Sequence, residues 1–282
     1  MGRKVSQRFV AGMGLDDAIR ATREVNALGM RVSIDNLGEN VTNADEARQS
    51  AELYHSLLDA ITREKLEANV SLKLTHMGLD VDEQLARGIV RDLVTHAARI
   101  GSFVRVDMEG SPYTRKTLDF VRELHSEPGH GDVVGTVIQA YLRRSEDDVR
   151  RLCAEGVRIR LCKGAYKEPE EIAFQPKSEV DANFVRLMKI LLESGVFHGI
   201  ATHDPKMIDA TVAFAKEKGI PPSAFEFQML HGIRRDLQQQ LVRDGWGVRV
   251  YVPFGTEWYP YFMRRLAERP ANVFFLLKNL FR

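Results

Sequence analysis

Hydrophobic and polar positions along this chain follow two alternating periods. Short runs rich in branched and aromatic residues fall at 32–35, 70–74, 103–107, 133–141, 157–162, 199–203, 225–228 and 248–252. Their length and composition predict strands. Between them, apolar residues recur every three or four positions at 42–66, 83–100, 115–124, 147–154, 181–193, 205–218 and 233–244. Similar stretches precede the first strand (15–28) and follow the last (257–268). That spacing predicts amphipathic helices. Alternating strand–helix units predict a parallel sheet. Eight of them in roughly 250 residues suit a (β/α)8 barrel better than a doubly wound sheet. The expected class is α/β, a TIM-type barrel with a final helix over its C-terminal face. No linker rich in Pro, Gly or Ser divides 1–282, so one domain is expected, with a helical lead-in over 1–30. The segment 271–282, rich in Val, Phe and Leu, reads as a short helix that either covers the barrel or makes a subunit contact.

The strands carry a second pattern. Side chains alternate faces along a strand, and most of the polar residues here share one parity. Ser33 goes with Asp35, Ser71 with Lys73, Arg105 with Asp107, Arg158 with Arg160, Glu226 with Gln228, and Arg249 with Tyr251. The opposite parity is mostly Val, Ile, Leu, Met or Phe and must pack under the helices. The polar set therefore points into the barrel, where branched apolar residues are the usual filling. Buried charges at that density must pair with one another or with a ligand. Mutual pairing accounts for the deeper Arg105, Arg158, Glu226 and Arg249. The strand ends, where active sites of this architecture lie, present Asp35, Lys73, Asp107, Gln139, the 160–166 segment, Thr202, His203, Gln228 and Tyr251.

Charge and cysteine content narrow the function. Forty basic and thirty-nine acidic residues give a net +1, so no basic field points to nucleic acid. Cys153 and Cys162 fit no zinc or CxxC spacing and read as reduced thiols of a cytoplasmic protein. Residues 1–10 lack the apolar core of a signal peptide, and no apolar run reaches the roughly 20 residues that span a bilayer. No serine has a nucleophile-elbow context, and no HExxH or paired HxH suggests a metal. Lys73 or Lys163 could serve as a Schiff-base lysine if desolvated. Arg160-Leu161-Cys162-Lys163-Gly164-Ala165-Tyr166 sets two cations, small residues and an aromatic at a strand end, which suits a planar, electron-rich cofactor. Gly12-Met13-Gly14 is only a fragment of a dinucleotide fingerprint, with no strand before it. Near the end, Tyr261 lies one helical turn before Arg264 and Arg265, an aromatic wall with two forked cations suited to a small carboxylate.

These residues also carry a resemblance. Gln139-Ala140-Tyr141, the 160–166 segment, Ala201-Thr202-His203, the run from Phe225 to Gly232, the run from Arg249 to Gly255, and Tyr261-Phe262-Met263-Arg264-Arg265 together resemble proline dehydrogenase. They are similar both to the monofunctional bacterial enzyme and to the matching domain of proline utilization A. The resemblance runs in order from about Asp35 to Arg265. It implies a distorted barrel that binds FAD and oxidises L-proline to Δ1-pyrroline-5-carboxylate. Hydride would pass from proline C5 to flavin N5, and electrons would go on to ubiquinone or menaquinone.

Carried over by position, the resemblance gives Arg264, Arg265 and Lys73 the proline carboxylate. Tyr251, Tyr261, Leu230, Ala165 and Tyr166 would line the ring. Arg160 would sit by flavin N5 and Gln139 at the pyrimidine edge, with Lys163, Gly164, Ala165, Thr202, His203 and Gln228 around the rest. Arg160, Lys73 and Asp107 would serve the chemistry, Asp107 also the flavin side, and Glu39 would close the site against an arginine. The resemblance further implies transient contact with the inner face of the membrane, a separate pyrroline-5-carboxylate dehydrogenase downstream, and leaves a homo-oligomer open. This chain departs from the bifunctional relatives at Lys167, where they carry tryptophan, and at Pro176-Lys177, where they use an arginine. Two other readings compete: a Schiff-base lyase on the same barrel, and a non-catalytic amino-acid-binding barrel.

Overall fold

A computed structural model describes residues 9–267; of the last helix, the side chains of 262 and 264–267 lie outside that description. Eight parallel strands close into a barrel in chain order, β1 pairing with β8. They are β1 (Arg31–Asn36), β2 (Ala68–Leu72), β3 (Val104–Val106), β4 (Val134–Gln139), β5 (Arg158–Cys162), β6 (His198–Ala201), β7 (Phe225–Leu230) and β8 (Val248–Phe254). Helix α1 (Leu15–Asn26) precedes the barrel. Then come α2 (Ala44–Arg63), α3 (Glu83–Arg99), α4 (Ser111–Ser126), α5 (Ser145–Ala154), α6 (Lys177–Glu193), α7 (Pro205–Glu217), α8 (Arg235–Arg243) and α9 (Trp258–Ala267). The α/β barrel read from the periodicity is thus the fold observed.

The helices start where local chemistry satisfies their free N–H groups. Asn43, Asp82 and Asp204 accept backbone N–H bonds at the starts of α2, α3 and α7. Prolines in the first turn of α4 and α7 have no N–H to lose there. Proline at the start also explains why α4 begins at Ser111 rather than 115, since Pro112 fits an opening turn that a reading of proline as a breaker excludes. Helix α6 likewise begins at Lys177, directly after Pro176, rather than at 181. β4 stops at Gln139, short of 141, because the chain turns there and Phe174 N bonds back to Tyr141 O. The segment 271–282 falls outside the described residues, as do 1–8 of the lead-in.

The outward strand residues form the core. Val32, Ile34, Val70, Leu72, Val104 and Val106 are fully buried against the helices. The inward parity is polar, as its pattern predicts, and two glycines make room for it. A Cβ on Gly135 would lie 2.3 Å from the Arg158 carbonyl and 2.8 Å from the Arg105 guanidinium. A Cβ on Gly199 would lie 2.3 Å from the Gln228 carboxamide. Only part of the deep layer pairs as expected: Arg105 donates instead to the Thr136 and Arg158 carbonyls (2.8 and 2.6 Å), and Arg158 pairs with exposed Asp132, while Glu226 is held by arginines. Glu226 takes Arg249 and Arg31, while Arg249 also donates to Asn69 Oδ1 (2.7 Å) and the Val32 carbonyl (2.8 Å). Burial disfavours the Glu226 charge, but the two arginines more than offset it and hold its carboxyl below the usual range.

Candidate active site

One guanidinium organises the upper layer. Arg160, on β5 and 6% exposed, reaches across the barrel to five other strands or strand ends. Its Nη1 donates to Asp107 Oδ1 at 2.7 Å, its Nη2 to Ser33 Oγ and Ser71 Oγ at 3.1 and 3.0 Å, and its Nε to Gln228 Oε1. It also lies 5.3 Å from the centroid of the Tyr251 ring. Every N–H so engaged fixes the fork in one plane. The two serines, 3.0 Å apart, had no signal in sequence beyond their parity.

Above Arg160 a cavity of about 610 Å³ opens at the C-terminal ends of the strands, a size typical of small-molecule sites. It brings together Lys73, Asp107, Gln139, Arg160, Lys163, Gly164, Ala165, Tyr166, Thr202, His203, Gln228, Leu230, Tyr251 and Tyr261. All come from the strand-end inventory, the 160–166 segment, or the motifs that follow. Because β2, β3 and β6 end at Leu72, Val106 and Ala201, four of these residues stand on the first positions of loops: Lys73, Asp107, Thr202 and His203. Tyr261 places α9 over this face of the barrel. It is buried with Phe9, Val10 and Leu37, and Tyr251 and Trp258 pack alongside. Arg264 and Arg265 belong to the same helix, but their side chains lie outside the described ones.

The polar groups divide by what already holds them. Lys73 Nζ is 3.3 Å from Asp35 Oδ2. Burial works against its charge, yet the carboxylates of Asp35, Asp107 and Glu39 overcome that and raise its pKa. An ammonium held charged in this way is a fixed cation, the opposite of what a Schiff-base nucleophile needs. Glu39, half-buried in the loop after β1, thus acts electrostatically on Lys73. Lys163 is clamped between Asp181 and Asp204 (2.7 Å to the latter). His203 accepts from Leu230 N at 2.8 Å, and Asp204 caps α7, so these neighbours in sequence serve different partners. Gln139 spends its amide NH2 on the Glu109 carbonyl at 3.0 Å. Gly164, at φ +113°, exposes bare backbone, because a Cβ there would collide with the Tyr141 ring.

Sequence reasoning missed several residues. Asp35 stood in the strand-end inventory with no role, yet it is fully buried and receives Tyr251 OH at 2.6 Å. Tyr54 reaches it from α2 at 3.2 Å, and on a helix face such a tyrosine reads only as core. Arg234, left-handed at φ 50° before α8, lines the cavity mouth with Lys177. No group of His, Cys, Asp and Glu among the described residues could hold a metal ion. No helix among them is long and apolar enough to cross a membrane.

Comparison with known proteins matches the chain over residues 18–278 to the proline dehydrogenase family model. It is 41% identical over 278 residues to proline dehydrogenase 2 of Bacillus subtilis, covering 99% of this chain and 91% of the relative. It is 39% identical to the proline dehydrogenase of Deinococcus radiodurans, covering 98% and 90%. Among solved structures, proline utilization A from Bdellovibrio bacteriovorus inactivated by N-propargylglycine superposes with a TM-score of 0.88 at 27% identity. That match covers 94% of this chain and 32% of the larger one.

Proposed function

The chain belongs to the proline dehydrogenase family, enzymes of proline catabolism, and from that premise we propose that it is an FAD-dependent dehydrogenase of the L-proline ring that hands its electrons to a quinone. The observation that carries this reading is the immobilised Arg160 guanidinium on the floor of a strand-end cavity.

The residues fit a flavin. Gly164 offers an uncovered backbone that a side chain would block. Gln139 keeps its carboxamide oxygen for a pyrimidine edge, with Gln228 and Thr202 beside it. Arg234 and Lys177 stand at the mouth, where a pyrophosphate would need cations. Lys163, already clamped by two aspartates, would act by shaping that wall, and His203 likewise through its bond to the Leu230 amide. When bound, FAD supplies the two-electron acceptor that takes hydride from proline C5 at flavin N5.

The chain's own side chains do the rest. Arg160 would stabilise negative charge developing beside N5, and Asp107 keeps that guanidinium in place. Lys73, with Arg264 and Arg265, would bind the proline carboxylate by charge-assisted hydrogen bonds. Tyr251 and Tyr261, with Leu230, Ala165 and Tyr166, would bracket the ring and exclude water. Glu39 would close the entrance. Product would pass to a separate pyrroline-5-carboxylate dehydrogenase, and quinone reduction would bring the protein transiently to a membrane surface.

The test is optical. The purified protein should be yellow, and L-proline added without oxygen should bleach the flavin band while pyrroline-5-carboxylate accumulates. A chain that takes up no FAD, or a bound flavin that L-proline leaves oxidised, would overturn the proposal.

A further inference from the structure

The cluster under the proline slot is short of protons. Tyr251 has one phenolic hydrogen, yet its oxygen lies 2.6 Å from Asp35 Oδ2 and 3.1 Å from Asp107 Oδ2. Tyr54 also has one, and its oxygen lies 2.8 Å from the Ser71 carbonyl and 3.2 Å from Asp35 Oδ1. It already accepts from Asn36 N. Burial is the main force pushing both phenols well above their ordinary value, so neither gives its proton up. With the Asn36 carbonyl 3.5 Å from Tyr54 counted, two hydrogens therefore face five acceptor oxygens. The nearest cation, Lys73, reaches only Asp35 Oδ2, at a long 3.3 Å, while Arg160 serves the other oxygen of Asp107. An unmated oxygen pair at 2.6–3.1 Å in a buried site is costly.

We propose that Asp35 is a neutral carboxylic acid at pH 7 and the positioning residue of the site, donating its proton to Tyr251 so that Tyr251 in turn donates to Asp107. One added hydrogen completes a chain from Asp35 through Tyr251 and Asp107 to Arg160, in which no oxygen pair is left without a proton. With Asp35 neutral, Asp107 and Glu39 remain the anions that keep Lys73 charged, and its ammonium, no longer neutralised from β1, is available to the carboxylate of a ligand. This rests on the proposed reading of the slot in assigning that ligand, but not in assigning the proton. The electrostatics agree. Burial pushes the Asp35 carboxyl up, Lys73 pulls it down, Asp107 pushes it up again, and the result is above the ordinary value. The groups facing Asp35 are Lys73 after β2, Asp107 after β3, Tyr251 on β8 and Tyr54 on α2.

Infrared spectroscopy of the purified holoprotein at pH 7 tests the proton directly. The wild-type minus Asp35→Asn difference should contain the C=O band of a protonated carboxyl group. The band should shift when the wild-type chain is grown with carboxyl-13C aspartate, a reading that does not need the variant to fold. The second arm measures binding of a ring carboxylate in which oxygen replaces the proline nitrogen. Asp35→Asn, which keeps the site neutral, should bind it within about threefold of wild type. Absence of a label-sensitive carboxyl band, or a folded Asp35→Asn that binds more than about tenfold more weakly, would overturn the proposal. If wild type fails to bind the ring carboxylate at all, the substrate reading fails instead and the infrared result still decides the proton.

Discussion

Removing the Arg160 guanidinium should expose how much of the barrel's stability depends on its inner charges. Arg160 and Asp107 are 8% and 11% exposed at the side chain and 2.7 Å apart. Breaking a buried pair from one side costs about 3–5 kcal/mol, largely because the surviving charge is stranded. Arg160→Met strands Asp107 with only Tyr251 as donor, and it also frees two serine hydroxyls and Gln228. It should fall in that range. Asp107→Asn leaves the guanidinium with three neutral acceptors and should cost about 1.5–3 kcal/mol, the worth of a charged hydrogen bond. The double variant strands neither charge, so its loss should fall short of the sum by about 2 kcal/mol. Urea unfolding followed through Trp246 and Trp258 supplies the three values. Additivity within about 0.5 kcal/mol would mean that the two side chains are uncoupled, and the account of the inner layer would fail.

Three buried histidines make the fold acid-labile. His76 and His231 are lowered to about 4 and His198 to about 3, each mainly by burial. A histidine with a folded pKa below its unfolded one stabilises the fold fully above about pH 6.5, and that stability is lost as pH falls towards the folded value. From the unfolded value of about 6.5, each should lose about 1.4 kcal/mol by pH 5.5, roughly 4 kcal/mol together, in a pH series of urea melts. A flat profile between pH 7 and 5 would contradict their burial as neutral rings. On the substrate side, Arg264→Met or Arg265→Met should lower kcat/KM for proline by roughly tenfold to a hundredfold while flavin stays bound. Wild-type kcat/KM in either would remove the carboxylate assignment.

Much of this architecture is legible in the sequence, because period and parity are local. The parity of Ser33, Ser71, Arg160 and Gln228 placed all four inside the barrel, where one guanidinium joins them. Which oxygen each N–H would choose was not legible, since that depends on strand register around a closed sheet. Tyr54 illustrates the limit. Its helix position predicts burial, and only the gap between β1 and β2 turns that burial into a bond with Asp35. Helix starts at Ser111 and Lys177 escaped because proline permits an opening turn as readily as it ends one.

The reach of Arg160 has a kinetic side. Its bonds to Ser33 and Ser71 join residues 127 and 89 positions apart. Such long loops close late in folding. Until β1 and β2 meet β5 and β8, the guanidinium has only part of its shell to enter, and a half-built barrel keeps this charge in water. Ring closure and the assembly of the Arg160 hydrogen-bond shell are therefore one event, so a barrel that has not closed also lacks the floor of its strand-end cavity.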